Sequence, residues 1–203
     1  LINSINNRNS KKEYYLTELI KIAHKKGHTC AYVVGSEEEL IGVDSRADLA
    51  GAEALFQTRA RRAVMKKGVT LIDPSSTYFS WDTKVGKDVI IEPNVFLAPG
   101  VTIQENVTIK SFCYLEEAFI SKGCVIGPFA RLRPGTKISE KAKIGNFVEV
   151  KNSSIGSNVN INHLSYIGDA FIGQGSNIGA GTITCNFDGV TKHQTKIGKN
   201  TFI

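Results

Sequence analysis

The sequence predicts a mostly β protein: a parallel β-helix of hexapeptide repeats, preceded by a mixed α/β segment. Three features of the residues from Val85 onward support this prediction. Aliphatic residues recur at steps of six, the fourth residue after most of them is small or apolar, and glycine directly follows eight of them. Such a repeat is typical of a parallel β-helix, in which three hexapeptides complete one triangular coil.

The aliphatic residues are expected to point inward and to stack at the strand spacing of about 4.8 Å. Cys113 and Cys124 occupy the small position of the repeat, so we expect both thiols in the core. The four cysteines form no CxxC pair, which favours reduced thiols in a cytoplasmic protein. The aliphatic series occupies positions 85, 91, 97, 103, 109, 115, 120, 126, 132, 138, 144, 150, 155, 161, 167, 172, 178, 197 and 203.

Residues 1–82 follow a different pattern. A helical period over Glu18–Ala23 predicts a helix that ends by Gly27, and the apolar run Thr29–Val34 predicts a buried strand. From Arg46 to about Lys67, apolar residues at steps of three and four predict an amphipathic helix, and a turn follows at 73–76. The expected segments are 1–45, a helical linker over 46–82, and the β-helix over 83–203. The apolar face of the second helix is expected at positions 49, 52, 56, 60, 63 and 64.

The repeat is interrupted from Thr184 to Lys196. A β-helix accommodates an insertion as a loop that leaves one corner, and such loops often build a binding face. The sequence therefore predicts a loop beside a functional site.

Composition excludes several classes of protein. Hydrophobic residues make up 41% and charged residues 22%, which argues against a disordered chain, and no apolar run reaches the length of a membrane span. The net charge of +6 is spread along the chain, which favours a small anionic ligand. We expect neither nucleic acid nor a membrane as a partner, since a nucleic-acid site needs a basic stripe with interleaved aromatic residues.

Two cations occupy a position that glycine usually holds in the repeat. Counting the aliphatic positions in threes stacks 132, 150 and 167 at one corner, which places Arg133 and Lys151 on adjacent levels. Cations this close repel each other unless an anion lies between them, so we predict a phosphate site. The alternative is a solvated pair that splays apart beside Glu149. One edge is expected to gather Arg133, Glu149, Lys151, His163, Tyr166, Asn186 and Lys192.

His163 lies on the segment that leads into this corner, one level above Glu149. A histidine oriented by a carboxylate is suited to general base catalysis, so we predict that His163 is the base and that Glu149 orients it. The alternative is a structural histidine. Zinc is disfavoured because His163 and His193 have no evident third ligand.

Four long motifs resemble a known family, the bacterial bifunctional N-acetylglucosamine-1-phosphate uridyltransferases and glucosamine-1-phosphate N-acetyltransferases. The resemblance covers the whole chain and implies a left-handed β-helix. It also implies that the chain is an internal fragment: the end of a uridyltransferase domain, a connecting helix, and an incomplete acetyltransferase domain. The motifs are GPFARLRPG at 127–135, GNFVE at 145–149, HLSYIGD at 163–169 and NIGAGTITCN at 177–186.

The resemblance also implies roles for individual residues. His163 would accept the proton, in an active site that lies between the subunits of a homotrimer. The family usually has tyrosine where this chain has Phe187. The sugar phosphate would be bound by Arg133, Lys151, Tyr166, Asn177 and Lys192, and acetyl-CoA by Ala180, Asn186 and Phe187.

The first 45 residues resemble the end of the uridyltransferase half, which uses UTP and Mg²⁺. Glu13, Tyr15 and Thr17 match its sugar-side motif. Asp44 stands where the family has an asparagine that binds Mg²⁺, and a carboxylate is an acceptable ligand for this cation.

The predicted function is acetyl transfer from acetyl-CoA to the amine of glucosamine 1-phosphate. In the intact protein, uridyl transfer would follow and give UDP-N-acetylglucosamine for peptidoglycan and lipopolysaccharide synthesis. These 203 residues alone are expected to show little activity, because further coils carry coenzyme-binding residues in the family. The alternatives are another hexapeptide acyltransferase, a sugar nucleotidyltransferase relative, or a non-catalytic structural solenoid. The Arg-Pro-Gly and Asn-Phe-Asp-Gly motifs disfavour the first two, and the loop disfavours the third.

Overall fold

The computed structural model describes all 203 residues, which form two compact units, 1–44 and 45–203. The smaller unit contains one α-helix, α1 (Glu18–Lys25), and two 3-10 turns, Ile2–Ser4 and Glu37–Glu39. The predicted first helix is confirmed. Gly27 follows it with a left-handed φ of 78°, a conformation in which glycine is unstrained.

The predicted buried strand at 29–34 is wrong. These residues form no strand, and Tyr32, Val33 and Val34 are 89%, 96% and 82% exposed. Residues 1–44 contain no other strand with which this segment could pair. Without a partner strand, the backbone donors and acceptors of an extended segment are left to water.

The larger unit begins with α2 (Arg46–Lys66), which confirms the second predicted helix. Ser45 and Asp48 form a capping box: Ser45 Oγ accepts from the Asp48 N–H, and Asp48 Oδ2 accepts from the Ser45 N–H. The predicted apolar face is only partly right. Leu49 is 59% exposed, whereas the buried residue of the helix is the polar Gln57.

Gln57 joins α2 to the β-helix through two hydrogen bonds to one residue. Its Nε2 donates to Phe79 O at 2.7 Å, and its Oε1 accepts from Phe79 N at 3.0 Å. Phe79 is buried, so both backbone groups depend on this side chain. Arg61 adds a bond from Nε to Thr77 O at 2.9 Å. A polar side chain thus fixes the helix against the coils.

We expect Gln57→Ala to lower the free energy of unfolding by about 1–3 kcal/mol, because it leaves buried backbone groups without partners. Urea denaturation measures this change. Thr58→Ala is the matched control, since Thr58 is exposed and bonds only within the helix, to Ala54 O. Equal effects of the two substitutions would contradict the role of Gln57.

The β-helix has three faces of parallel strands, and it begins at Thr70 rather than at the predicted residue 83. Face one contains β1 (Thr70–Leu71), β4 (Ile90–Ile91), β7 (Thr108–Ile109), β10 (Val125–Ile126), the first halves of β13 (Lys143–Lys151) and β15 (Asn160–Gly168), and β17 (Asn177–Ile178). Face two contains β2 (Tyr78–Phe79), β5 (Phe96–Leu97), β8 (Tyr114–Leu115), β11 (Arg131–Leu132) and the second halves of β13 and β15. Face three contains β3 (Lys84–Val85), β6 (Thr102–Ile103), β9 (Ala118–Ile120), β12 (Thr136–Ile138), β14 (Ser154–Ile155), β16 (Ala170–Ile172) and β18 (Thr195–Ile197).

The core confirms the predicted repeat. Every aliphatic position from Ile91 to Ile178 in the predicted series is at most 2% exposed. Cys113 and Cys124 are buried among these residues, as predicted, and desolvation raises the pKa of each thiol to about 11. Both thiols therefore remain protonated at neutral pH. Neither α1 nor α2 is long and apolar enough to cross a membrane.

Two corners border face two. At the first, between faces one and two, the rings of Phe112, Phe129 and Phe147 stack at centroid distances of 4.9 and 5.1 Å, and Leu164 continues this exposed column. The second corner lies between faces two and three. The predicted loop is confirmed there: the chain leaves the coil after Thr184 and rejoins face three at β18.

Candidate active site

The seven residues expected at one edge are spread across face two and its two corners instead. Strand register places Arg131 beside Glu149 and Glu149 beside Tyr166, which confirms the predicted stacking of positions 132, 150 and 167. His163 lies at the first corner. Lys151 lies at the second corner, beside Gly168. Because β15 crosses the whole of face two, His163 and Lys151 flank that face from opposite ends.

His163 is oriented by Asn146, not by Glu149 as predicted. The two residues are register partners on β13 and β15, and His163 Nδ1 lies 2.6 Å from Asn146 Oδ1. An amide oxygen only accepts, so Nδ1 carries the hydrogen in this bond. With Nδ1–H engaged by Asn146, Nε2 is the ring nitrogen left to accept a proton, which suits a base.

Ala180 follows β17 directly above His163. The register of Ile161 with Ile178 extends to this pair, and Gly181 N donates to Leu164 O at 3.0 Å. The first corner therefore holds Ala180, which the family resemblance predicts to lie beside acetyl-CoA, one level from the candidate base.

Glu149 bonds to Arg133 instead of to His163. Its Oε1 accepts from Arg133 Nη1 at 2.8 Å, and both side chains are about one-third exposed. The guanidinium therefore reaches back over face two, as the alternative interpretation of this pair anticipated. Lys151, one coil above Arg133, forms no ion pair with Glu149. Tyr166 lies beside Glu149 on the next strand.

The loop after Thr184 brings Asn186 and Lys192 to the second corner. His193 N donates to Asn186 O at 2.8 Å, and Phe187 pairs with Lys192 in an antiparallel bridge, so the loop is a short hairpin. The Phe187 ring is 58% exposed.

Asp188 forms the tip of this hairpin. Its Oδ1 accepts from the N–H groups of Val190 and Thr191, and its Oδ2 lies 2.6 Å from His193 Nε2. The bond from Thr191 N–H, followed by those from His193 and Val190, lowers the pKa of Asp188 to about 2. The tip is therefore held by an ionised carboxylate at neutral pH.

Asp169 is the residue of this corner that sequence reasoning missed. It is buried, and its Oδ1 accepts from Asn152 Nδ2 at 2.6 Å while its Oδ2 accepts from Asn186 Nδ2. The bond from Asn152 is the largest cause that lowers the pKa of this carboxyl, and the charges of Lys151 and Lys192 add to it. Asp169 borders a polar cleft of about 520 Å³ that Lys192 also lines.

Asn177 is placed apart from the other sugar-phosphate residues. It lies on face one, where its register partner is Asn160, at the opposite end of β15 from Tyr166. In a single chain, therefore, Asn177 does not join the Arg133 and Lys151 corner.

The predicted residues of the smaller unit form no metal centre. No group of three or more His, Cys, Asp or Glu residues in the chain could hold a metal ion, so Asp44 belongs to no such group. Mg²⁺ prefers near-octahedral oxygen coordination, and one carboxylate does not supply it. Glu13 and Thr17 are exposed and Tyr15 is half-buried.

Two family models match consecutive parts of the β-helix. The bacterial transferase hexapeptide model (six repeats) matches residues 82–117, and the GMPPB C-terminal domain model matches residues 114–203. The hexapeptide match confirms the predicted repeat.

Curated proteins match along the whole chain. The bifunctional protein GlmU of Paramagnetospirillum magneticum is 54% identical over 203 residues, which is 100% of this chain and 45% of that protein. This chain is a relative of the bifunctional GlmU proteins. The GlmU proteins of Sphingopyxis alaskensis and Azorhizobium caulinodans are 51% and 49% identical, each over 100% of this chain and 45% of their own length. The chain thus spans less than half the length of these GlmU proteins.

The GlmU match confirms the family resemblance that the motifs predicted. Among solved structures, the UDP-N-acetylglucosamine acyltransferase LpxA of Bacteroides fragilis aligns with a TM-score of 0.36 and 20% identity, over 55% of this chain and 54% of that chain.

Proposed function

We propose that this chain carries the acetyltransferase site of a GlmU protein, and that it transfers acetyl from acetyl-CoA to the amine of glucosamine 1-phosphate. The observation that supports this most is a base and two cations placed along one face. His163, with Nε2 free to accept a proton, lies at one end, and Arg133 and Lys151 lie at the other. Glu149 and Tyr166 line the face between them.

In the proposed reaction, the neutral amine attacks the carbonyl carbon of the acetyl group. A C–N bond forms and the C–S bond breaks, so coenzyme A leaves as a thiolate. His163 Nε2 takes the proton from the amine nitrogen and returns it to the leaving thiolate. Arg133, Lys151 and Lys192 hold the phosphate, which fixes the amine near the base. Phosphate binding would exchange the Glu149 bond of Arg133 for a charge-assisted bond to the ligand.

In the intact protein, which would match the full length of the GlmU relatives, uridyl transfer from UTP with Mg²⁺ would follow in the cytoplasm. It would supply UDP-N-acetylglucosamine for peptidoglycan and lipopolysaccharide. Glu13, Tyr15, Thr17 and Asp44 would then belong to the uridyltransferase half.

We propose a homotrimer in which a neighbouring protomer supplies Asn177. Its position on face one, apart from Lys151, supports this arrangement. The exposed column of Phe112, Phe129 and Phe147 is an apolar surface that such a neighbour would cover.

The test is acetyl-CoA consumption by the intact protein against a panel of amino sugar phosphates. Turnover with glucosamine 1-phosphate above the other acceptors supports the proposal, with only a small fraction of that rate for the 203 residues alone. Preference for another acceptor would favour another hexapeptide acyltransferase. No turnover with any acceptor would favour a sugar nucleotidyltransferase relative or a structural solenoid.

Arg133→Ala or Lys151→Ala should weaken glucosamine 1-phosphate binding by about 1.5–3 kcal/mol, because each removes a charged contact to the phosphate. Isothermal titration calorimetry with each substrate measures this. Lys110→Ala is the matched control, since Lys110 follows β7 at the same place in the repeat but on face one. Loss of acetyl-CoA affinity instead would contradict the proposal, because it would mean that these cations bind the coenzyme and not the sugar phosphate.

A further inference from the structure

Asp169 ties the loop to the coil at both of the loop's ends. Its carboxylate accepts from Asn186 at the start of the loop, and its backbone oxygen accepts from Thr195 N at 3.2 Å at the end. On the coil side, its Oδ1 accepts from Asn152, and its N–H donates to Lys151 O at 3.0 Å. One buried residue thus holds the hairpin against the two coils beneath it.

The same carboxylate stands between residues assigned to different substrates. Asn186 is on the coenzyme side of the proposed site, and Lys151 and Lys192 are on the phosphate side. Both lysines act on Asp169 through their charges. An anionic side chain beside a phosphate site weakens phosphate binding by repulsion, so it needs a compensating role.

We infer that Asp169 is a positioning residue that sets the loop and thereby couples the coenzyme and phosphate sides of the site. This inference rests on the proposed function for the identity of the two ligands. The tether itself rests on the hydrogen bonds alone. If the positioning effect of Asp169 exceeds its repulsion of the phosphate, removing Asp169 weakens the binding of both acetyl-CoA and the sugar phosphate. If Asp169 acts only through its charge, removing it strengthens phosphate binding.

The corner supplies a substitution that removes the side chain without straining the backbone. Asp169 has a φ of 48°, and Asn152 and Gly135 hold the same left-handed corner position on the two coils below, at 43° and 80°. Asp169→Gly therefore keeps the turn and removes both carboxylate bonds. Asp169→Asn removes the charge and keeps one amide oxygen. Glu117→Gly is the matched control, because Glu117 holds this corner position one coil further down, with a φ of 40°.

Hydrogen exchange of the backbone amides of His193 and Thr195, in the 203-residue chain without ligand, measures the tether. We expect faster exchange in Asp169→Gly, a smaller change in Asp169→Asn and none in Glu117→Gly. Unchanged exchange in Asp169→Gly would overturn the tether, whether or not the chain binds either substrate. This readout does not depend on the proposed function.

Calorimetry with glucosamine 1-phosphate and with acetyl-CoA measures the coupling. We expect Asp169→Gly to raise the dissociation constant of each by roughly tenfold to a hundredfold. In an Asn186→Ala background, the further loss of acetyl-CoA affinity should shrink, since the two residues act through one bond. Tighter phosphate binding, or full additivity of the two substitutions, would overturn the coupling. Absence of binding by the unaltered chain, with faster loop exchange in Asp169→Gly, would count against the proposed function and for the tether.

Discussion

Replacement of His163 by alanine is expected to lower kcat for acetyl transfer in the intact protein by about 10²–10⁴-fold, with uridyl transfer unchanged. The amine must lose a proton as it attacks, and no other imidazole lies at the first corner beside face two. His193, the other histidine of the β-helix unit, is held by Asp188 at the tip of the hairpin. Steady-state assays of the two reactions measure the separation between them.

Asn146→Ala is the informative companion to this experiment. It removes the acceptor that fixes Nδ1–H and leaves the imidazole in place, so we expect a smaller fall in kcat and a change in its pH profile. Equal losses of both activities in His163→Ala would indicate a folding defect and would remove the case for His163 as the base.

Gly145→Ala is expected to lower the free energy of unfolding of the β-helix unit by about 3 kcal/mol, the upper end of the usual cost of overpacking. A Cβ at this position would collide with the carbonyl oxygen of Asn162 on the next coil. The obstacle is backbone, and it lies between the parallel pairs Ile144–Ile161 and Asn146–His163, so no side-chain rotation relieves it. Urea denaturation followed by far-ultraviolet circular dichroism measures the loss.

Gly51→Ala is the matched control for this prediction. Gly51 lies within α2, where an added Cβ meets nothing within 4 Å, so we expect a stabilisation of about 0.4–1 kcal/mol. A loss of stability at Gly145 no larger than the change at Gly51 would contradict the steric argument.

The coils could be predicted from the sequence because the repeat has a strict period and each core residue packs against residues a fixed number of positions away. Each buried residue from Ile91 to Ile178 in the series packs on the equivalent residue one coil away, so counting alone specifies its neighbours. The failed strand at 29–34 shows the limit of this reasoning. An apolar run indicates a strand only where another strand is available to pair with it.

For the candidate site, the sequence predicted which residues stack on adjacent coils better than it predicted which side chains form hydrogen bonds with each other. Counting places Glu149 one level below Tyr166, but it does not determine whether Glu149 turns toward His163 or Arg133. The same count applied to His163 reaches Asn146, its actual partner, so that signal was present in the spacing. Asp169 left no such signal, because its role depends on where a non-repeating loop folds back.

That loop also lets the chain gain residues without changing the stacking of the coils. Ile183 still pairs with Tyr166 before the loop, and Thr195 pairs with Ala170 after it, so the coil continues without a change of rotation. The inserted residues therefore lengthen the chain but do not alter the twist between successive coils. The coil pairs on both sides of this hairpin do not depend on its length, so the hairpin can vary without a change in the strand register around it. For protein engineering, this corner is the natural place to graft a different recognition segment.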